Sequence, residues 1–170
     1  MKAVVVYESL WGNTARIARA VAEGLGSGAQ ALSTDEASPD VMKDVDLVVA
    51  GAPVLGFSLP TDKMRESIGA SPSTTPPDLS HPSMRSWLDS VPKGSGRFAA
   101  FETRIWWSPG GATKGIERGL ARVGYEPLDH AHRFMVTGRY GPLREGETDL
   151  ARTWGADLAK AMDGVTSETV

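Results

Sequence analysis

The stretch Glu8-Ser9-Leu10-Trp11-Gly12-Asn13-Thr14 holds the residue types in this chain best suited to chemistry. The hydroxyls of Ser9 and Thr14 and the amide of Asn13 flank Gly12, directly after the apolar run Ala3-Val4-Val5-Val6-Tyr7. Behind them Ile17, Ala18, Val21, Ala22 and Leu25 recur at helical spacing, with Arg16, Arg19 and Glu23 off that face. A turn from a buried strand into a helix makes an anion site. Main-chain N–H groups without a helical acceptor converge there with the positive end of the helix dipole. Ser9 and Thr14 can donate to a phosphate, and Gly12 lets the backbone approach it closely. A phosphate monoester held by several such donors needs no lysine.

The elements that must position this turn follow from the alternation of apolar runs and amphipathic stretches. Strands are expected at 3–7, more weakly at 30–32, at 46–51, at 97–101 and within 128–136. Helices are expected at 14–25, after Ser38-Pro39, at 83–91, at 112–123 and from about 145, the last carrying Leu150, Trp154, Leu158 and Met162. This order implies right-handed crossovers and a doubly wound parallel sheet with helices on both faces. Residues 71–82, Ser-Pro-Ser-Thr-Thr-Pro-Pro-Asp-Leu-Ser-His-Pro, support neither helix nor strand. They read as a loop or flexible excursion within one domain over 1–170, a length typical of a single domain. Ligands in such sheets lie beyond the carboxyl ends of the strands. That rule selects the loops at 8–13, 52–60 and 102–111.

Composition removes other classes. The chain has no cysteine, so disulfides, thiolate nucleophiles, iron–sulfur clusters and cysteine zinc sites are excluded. With 18 Lys+Arg against 21 Asp+Glu the formal net charge is −3, and no basic surplus points to nucleic acid. No apolar run is long enough for a membrane span, and the first residues enter a strand-like run without a signal-peptide pattern. The expectation is a cytoplasmic protein. Gly24-Leu25-Gly26-Ser27-Gly28 follows a helix rather than a strand and reads as a stop signal. Phosphate-receiver chemistry would need acidic residues where the chain has Ser9 and Gly51-Ala52. Neither a P-loop nor a Gly-x-Ser-x-Gly elbow is present. Asp129-His130-Ala131-His132 puts both imidazoles on one face of a strand, yet without a convincing third ligand no metal is expected.

The run from Val5 to Val21 resembles the flavodoxin signature, in which a hydroxyl-rich loop ending in Gly-x-Thr holds the phosphate of FMN. The alternation along the whole chain is similar to that family, which implies a three-layer α/β fold with a five-stranded parallel sheet in the order 2-1-3-4-5. The resemblance implies FMN as cofactor, held by Ser9, Leu10, Trp11, Gly12, Asn13 and Thr14. Two features depart from the pattern: Trp11 stands where flavodoxins carry a hydroxyl, and the acidity is mild.

By position, Pro53, Val54, Leu55, Gly56 and Phe57 form the second flavin loop. There Phe57 is suited to stacking on the ring, and Gly56 to a peptide flip toward flavin N5. Thr103, Arg104, Trp106 and Trp107 belong to the third. The flavin itself would carry the chemistry, with no catalytic side chain. The implied function is electron transfer with a redox partner protein or small acceptor. The alternatives are a small FMN-dependent oxidoreductase acting on a quinone or similar acceptor, and a flavin-free binding module on the same fold. Arg104, Arg139 and Arg144 near the rim suit either an anionic ligand or an acidic partner.

Overall fold

Runs of valine set the sheet. In the computed structural model, which describes residues 1–168, β1 (Ala3–Tyr7) and β3 (Leu47–Pro53) are buried along nearly their whole lengths. Strands covered by helices on both faces must be so. β2 (Ala29–Ser33) and β4 (Arg97–Ile105) flank them, giving the parallel order β2-β1-β3-β4. β5 (Glu126–Pro127) and β6 (His132–Val136) both pair with the outer side of β4. The expected order 2-1-3-4-5 therefore holds, with its fifth strand in two pieces. Pro127 lies opposite Phe98 and His132 opposite Phe101, so residues 128–131 bulge from the edge.

Each face of the sheet carries its own core. On one face α1 (Asn13–Leu25) and α5 (Glu147–Glu168) bury Ile17, Val21, Ala151, Trp154 and Leu158 against Val5, Val49, Phe101 and Phe134. Phe101, Phe134 and Trp154 meet there with ring centroids 5.9–6.3 Å apart, edge-on or tilted. On the other face α3 (Met84–Ser90) and α4 (Thr113–Arg122) bury Met84, Trp87, Leu88, Ile116 and Leu120 against Val4, Val48 and Phe98.

The structure differs from the sequence expectation in four places. No helix follows Ser38-Pro39: residues 39–44 form turns, with bonds from Met42 N–H to the Ser38 carbonyl and from Lys43 N–H to the Asp40 carbonyl, and Asp44 sits at φ 55°. A helix does form at Asp62–Ala70 (α2), capped by Thr61, whose hydroxyl accepts from Met64 N at 3.1 Å. Leu150 lies on the exposed face of α5, and Ala151 takes the inward position. Finally, β4 runs on to Ile105, so Glu102, Thr103 and Arg104 are strand residues rather than loop residues.

Candidate functional site

The carboxyl edge of the sheet is built around Gly12. Its φ of 91° and ψ of −12° turn the chain from β1 into α1, a left-handed conformation that glycine adopts without strain. This turn folds the Ser9 hydroxyl under the helix start, where its oxygen accepts from Gly12 N at 3.1 Å and Ala15 N at 3.2 Å. Among the described residues no group accepts a hydrogen bond from the main-chain N–H of Trp11, Asn13 or Thr14. Thr14 itself is buried, with its hydroxyl 2.8 Å from that of Thr103 on β4.

A buried polar network holds this loop from below. Glu8, fully buried, takes Arg65 of α2 at 2.5 Å and accepts from Met84 N at 2.9 Å. Burial pushes its pKa above the usual carboxylate value, an effect the Met84 amide and Arg65 oppose. Arg65 also donates to the carbonyl of His81. Ser9 N donates to His81 Nε2 at 3.2 Å, which places the ring proton on Nδ1. Burial lowers the His81 pKa, with the Arg65 charge acting the same way, in keeping with a neutral ring.

The proline-rich segment is thereby a strap laid across the loop. Asp78 N donates to the Leu10 carbonyl at 2.7 Å, and Trp11 Nε1 donates to the Thr75 carbonyl at 3.1 Å. Between strap and loop lies a cavity of about 460 Å³ lined by Ser9, Trp11, Arg19, Asp35, Pro77 and His81, among others. Sequence reasoning missed Glu8, Arg65 and His81. The only signal for them was a carboxylate placed at the end of a buried strand, which needs a cation from somewhere else in the chain.

The second and third loops are knitted to each other. Leu55 and Ser58 exchange main-chain bonds of 2.9 and 3.2 Å around Gly56 at φ 55° and Phe57 at φ 66°, the two-residue hairpin turn with both central residues left-handed. Pro53 ends β3, and Val54 N reaches the Thr103 carbonyl at 3.0 Å. The Phe57 carbonyl accepts from Gly111 N at 3.0 Å. Phe57, Trp106 and Trp107 all point to solvent, the tryptophans 69% and 62% exposed. Arg104 is buried rather than solvated: its Nη1 donates to Glu102 Oε2 at 2.7 Å and to the Gly110 carbonyl at 2.9 Å. Glu102 Oε1 in turn accepts from Ala112 N at 3.1 Å, at the start of α4.

Where the first loop faces the second and third, a narrow slot of about 80 Å³ is lined by Leu10, Trp11, Thr14, Val54, Thr103 and Arg139, among others. Of residues 137–146, a segment for which the sequence pointed only to Arg139 and Arg144, Arg139 lines the slot. Trp11 packs edge-on against Tyr140 with centroids 5.1 Å apart, and the Arg139 guanidinium lies 6.0 and 5.8 Å from those two rings. Asn13 Nδ2 donates to the Tyr140 carbonyl at 3.2 Å. The structure thus brings Leu10, Trp11, Asn13, Thr14, Pro53, Val54, Leu55, Thr103 and Arg104 to one slot. Gly12 borders the neighbouring cavity beside Ser9, and Gly56 and Phe57 lie at the outer rim with the tryptophan pair.

This architecture has close counterparts among solved structures. An archaeal flavodoxin superposes with a TM-score of 0.64 at 20% identity, covering 96% of this chain and 99% of that one. Flavodoxin 1 from Bacillus cereus gives a TM-score of 0.65 at 14% identity, covering 94% and 98%. The Flv1 flavodiiron core from Synechocystis sp. PCC6803 matches 96% of this chain with 36% of its own length, at 19% identity and a TM-score of 0.59. No protein-family model and no curated protein matches the chain. The fold is flavodoxin-like, and no helix among the described residues is long and apolar enough to cross a membrane.

Proposed function

We propose that this chain is a redox protein that binds FMN non-covalently and passes electrons through it to a partner protein or small acceptor. One observation carries the reading. The unpartnered N–H groups of Trp11, Asn13 and Thr14 stand with the Ser9 hydroxyl at the start of α1, on a flavodoxin-like fold. Those donors suit a phosphate dianion, and no Gly-x-Gly-x-x-Gly fingerprint follows a strand to suit a pyrophosphate, so FMN is favoured over FAD. When bound, FMN supplies the one- or two-electron step.

The ring end of the site is tight. The 80 Å³ slot is smaller than the roughly 300 Å³ that pockets for ligands of this size start from. Leu10 and Trp11 line both this slot and the 460 Å³ cavity under the strap, so the two spaces adjoin at these residues. We infer that Trp11 turns away from Tyr140 to widen the slot when the flavin binds. Trp11 then borders the ring together with Pro53, Val54, Leu55, Gly56 and Phe57, and Thr103 and Arg104 close the far wall. Trp106 and Trp107 lie at the exposed rim, where an acceptor or partner would approach.

The narrow slot also favours a second reading, a binding module on this fold that takes no flavin. One experiment separates them. The purified protein is examined by visible absorption, then heated, and any released cofactor is identified by chromatography. A flavin spectrum with FMN recovered supports the first reading. FAD alone, or no flavin uptake even from excess FMN, overturns it.

A further inference from the structure

Sequence reasoning set aside Asp129-His130-Ala131-His132 for lack of a third ligand, and the folded chain supplies one. The bulge at residues 128–131, which splits the edge strand, turns the Asp129 carboxylate back onto both imidazoles. Asp129 Oδ1 lies 2.8 Å from His130 Nδ1, and Oδ2 lies 4.0 Å from His132 Nε2. One candidate ligand atom from each of the three residues lies within 4.8 Å of the other two. We propose that this break in the edge strand is a site for a zinc-like divalent cation, bound by Asp129, His130 and His132.

The chemistry of the set is mixed imidazole and carboxylate, which zinc, nickel and copper accept and which calcium and magnesium do not favour. Zinc takes imidazole nitrogen and carboxylate oxygen at about 2.0–2.2 Å. Tetrahedral zinc ligands lie about 3.4 Å apart, so gathering a pair from 4.8 Å closes it by about 1.4 Å, a movement that the exposed His130 side chain is free to make.

What distinguishes this cluster from histidines that merely lie near each other is the shell behind it. Trp154 Nε1 donates to Asp129 Oδ2 at 2.8 Å, fixing the carboxylate in the way outer partners orient metal ligands. The Trp154 indole also stacks on His132, with centroids 4.5 Å apart and planes 21° apart, which fixes that ring. Asp157 on α5 adds a further negative charge beside His132. The remaining coordination positions face solvent and would be filled by water. The site lies on the edge strand, with β4 and β3 between it and β1, and it shares no residue with the Gly12 loop, so its cation and the proposed flavin occupy separate places.

Calorimetric titration of metal-stripped, untagged protein with Zn²⁺ tests this. One ion per chain should bind in the micromolar range or tighter, with no heat from Mg²⁺ or Ca²⁺. His130→Gln alters a solvent-exposed side chain and so leaves the fold in place; it should weaken zinc at least tenfold, as should His132→Gln. Trp154→Phe keeps a ring against His132 but removes the N–H, and should weaken zinc by about ten- to a hundredfold. Zinc binding only at millimolar concentration, or binding that His130→Gln and His132→Gln leave unchanged, overturns the proposal.

Discussion

The first loop and the pair formed by the second and third loops sit side by side on one sheet edge, yet they are stabilised in opposite ways. Around Ser9 the polar groups turn inward: Glu8, Arg65 and His81 are all nearly sealed from water and satisfy one another. Around Gly56 and Trp106 the main chain does the joining, through the Leu55–Ser58 hairpin and the Phe57–Gly111 bond, while Phe57, Trp106 and Trp107 are left in water. Fixing the free amides of the first loop takes a rigid support, and buried charge supplies it. A rim that meets partners can expose aromatic surface, because nothing in the fold depends on it.

If that contrast is right, the largest loss comes from breaking the buried pair. Glu8→Ala leaves the Arg65 guanidinium buried without its carboxylate and should cost about 3–5 kcal/mol in urea unfolding. A result under 1 kcal/mol would mean water reaches Arg65 and the brace is not what holds the strap. On the other side, Gly110→Ala should cost about 1–3 kcal/mol, since it strains a left-handed position. Gly110 has φ 78°, and a Cβ there would fall 1.9 Å from the Phe57 carbonyl oxygen.

A smaller effect should appear with pH. The folded chain keeps His81 neutral below the usual imidazole range, so the unfolded chain takes up the proton first. Stability should therefore fall as pH drops through about 6.5. His132 contributes in the same sense, and Glu8, raised by burial, in the opposite sense at lower pH. Unfolding free energies from pH 8 to 5.5 should show the slope, and His81→Gln should flatten it. Smallest of all, Trp106→Ser and Trp107→Ser should each change stability by no more than about 0.5 kcal/mol. A larger loss from either would make that tryptophan part of the core.

The layered fold was legible because its signals are local: valine runs for β1 and β3, the 3.6-residue period of α1, and a glycine at the turn between them. The loops at the carboxyl edge followed from that order. Helix α2 was not legible, since Arg65 is its one buried residue and it is directed at Glu8, so no apolar stripe marks it. The strap failed for a related reason. Proline density argues against helix and strand, but says nothing of the Leu10 carbonyl and the Arg65 guanidinium that hold the segment down. Thr14 and Thr103 were each named, but their contact joins residues far apart in the chain and no spacing records it.

The central claim is that the Gly12 loop binds the phosphate of FMN. Titrating the protein with FMN and with riboflavin, which lacks that phosphate, under the same conditions tests it most directly. FMN should bind at least tenfold tighter, and Ser9→Ala should erase about ten- to a hundredfold of FMN affinity while leaving riboflavin unchanged, as expected for one hydrogen bond to a charged acceptor. Equal affinity for the two flavins, or no saturable binding of FMN, would contradict the assignment.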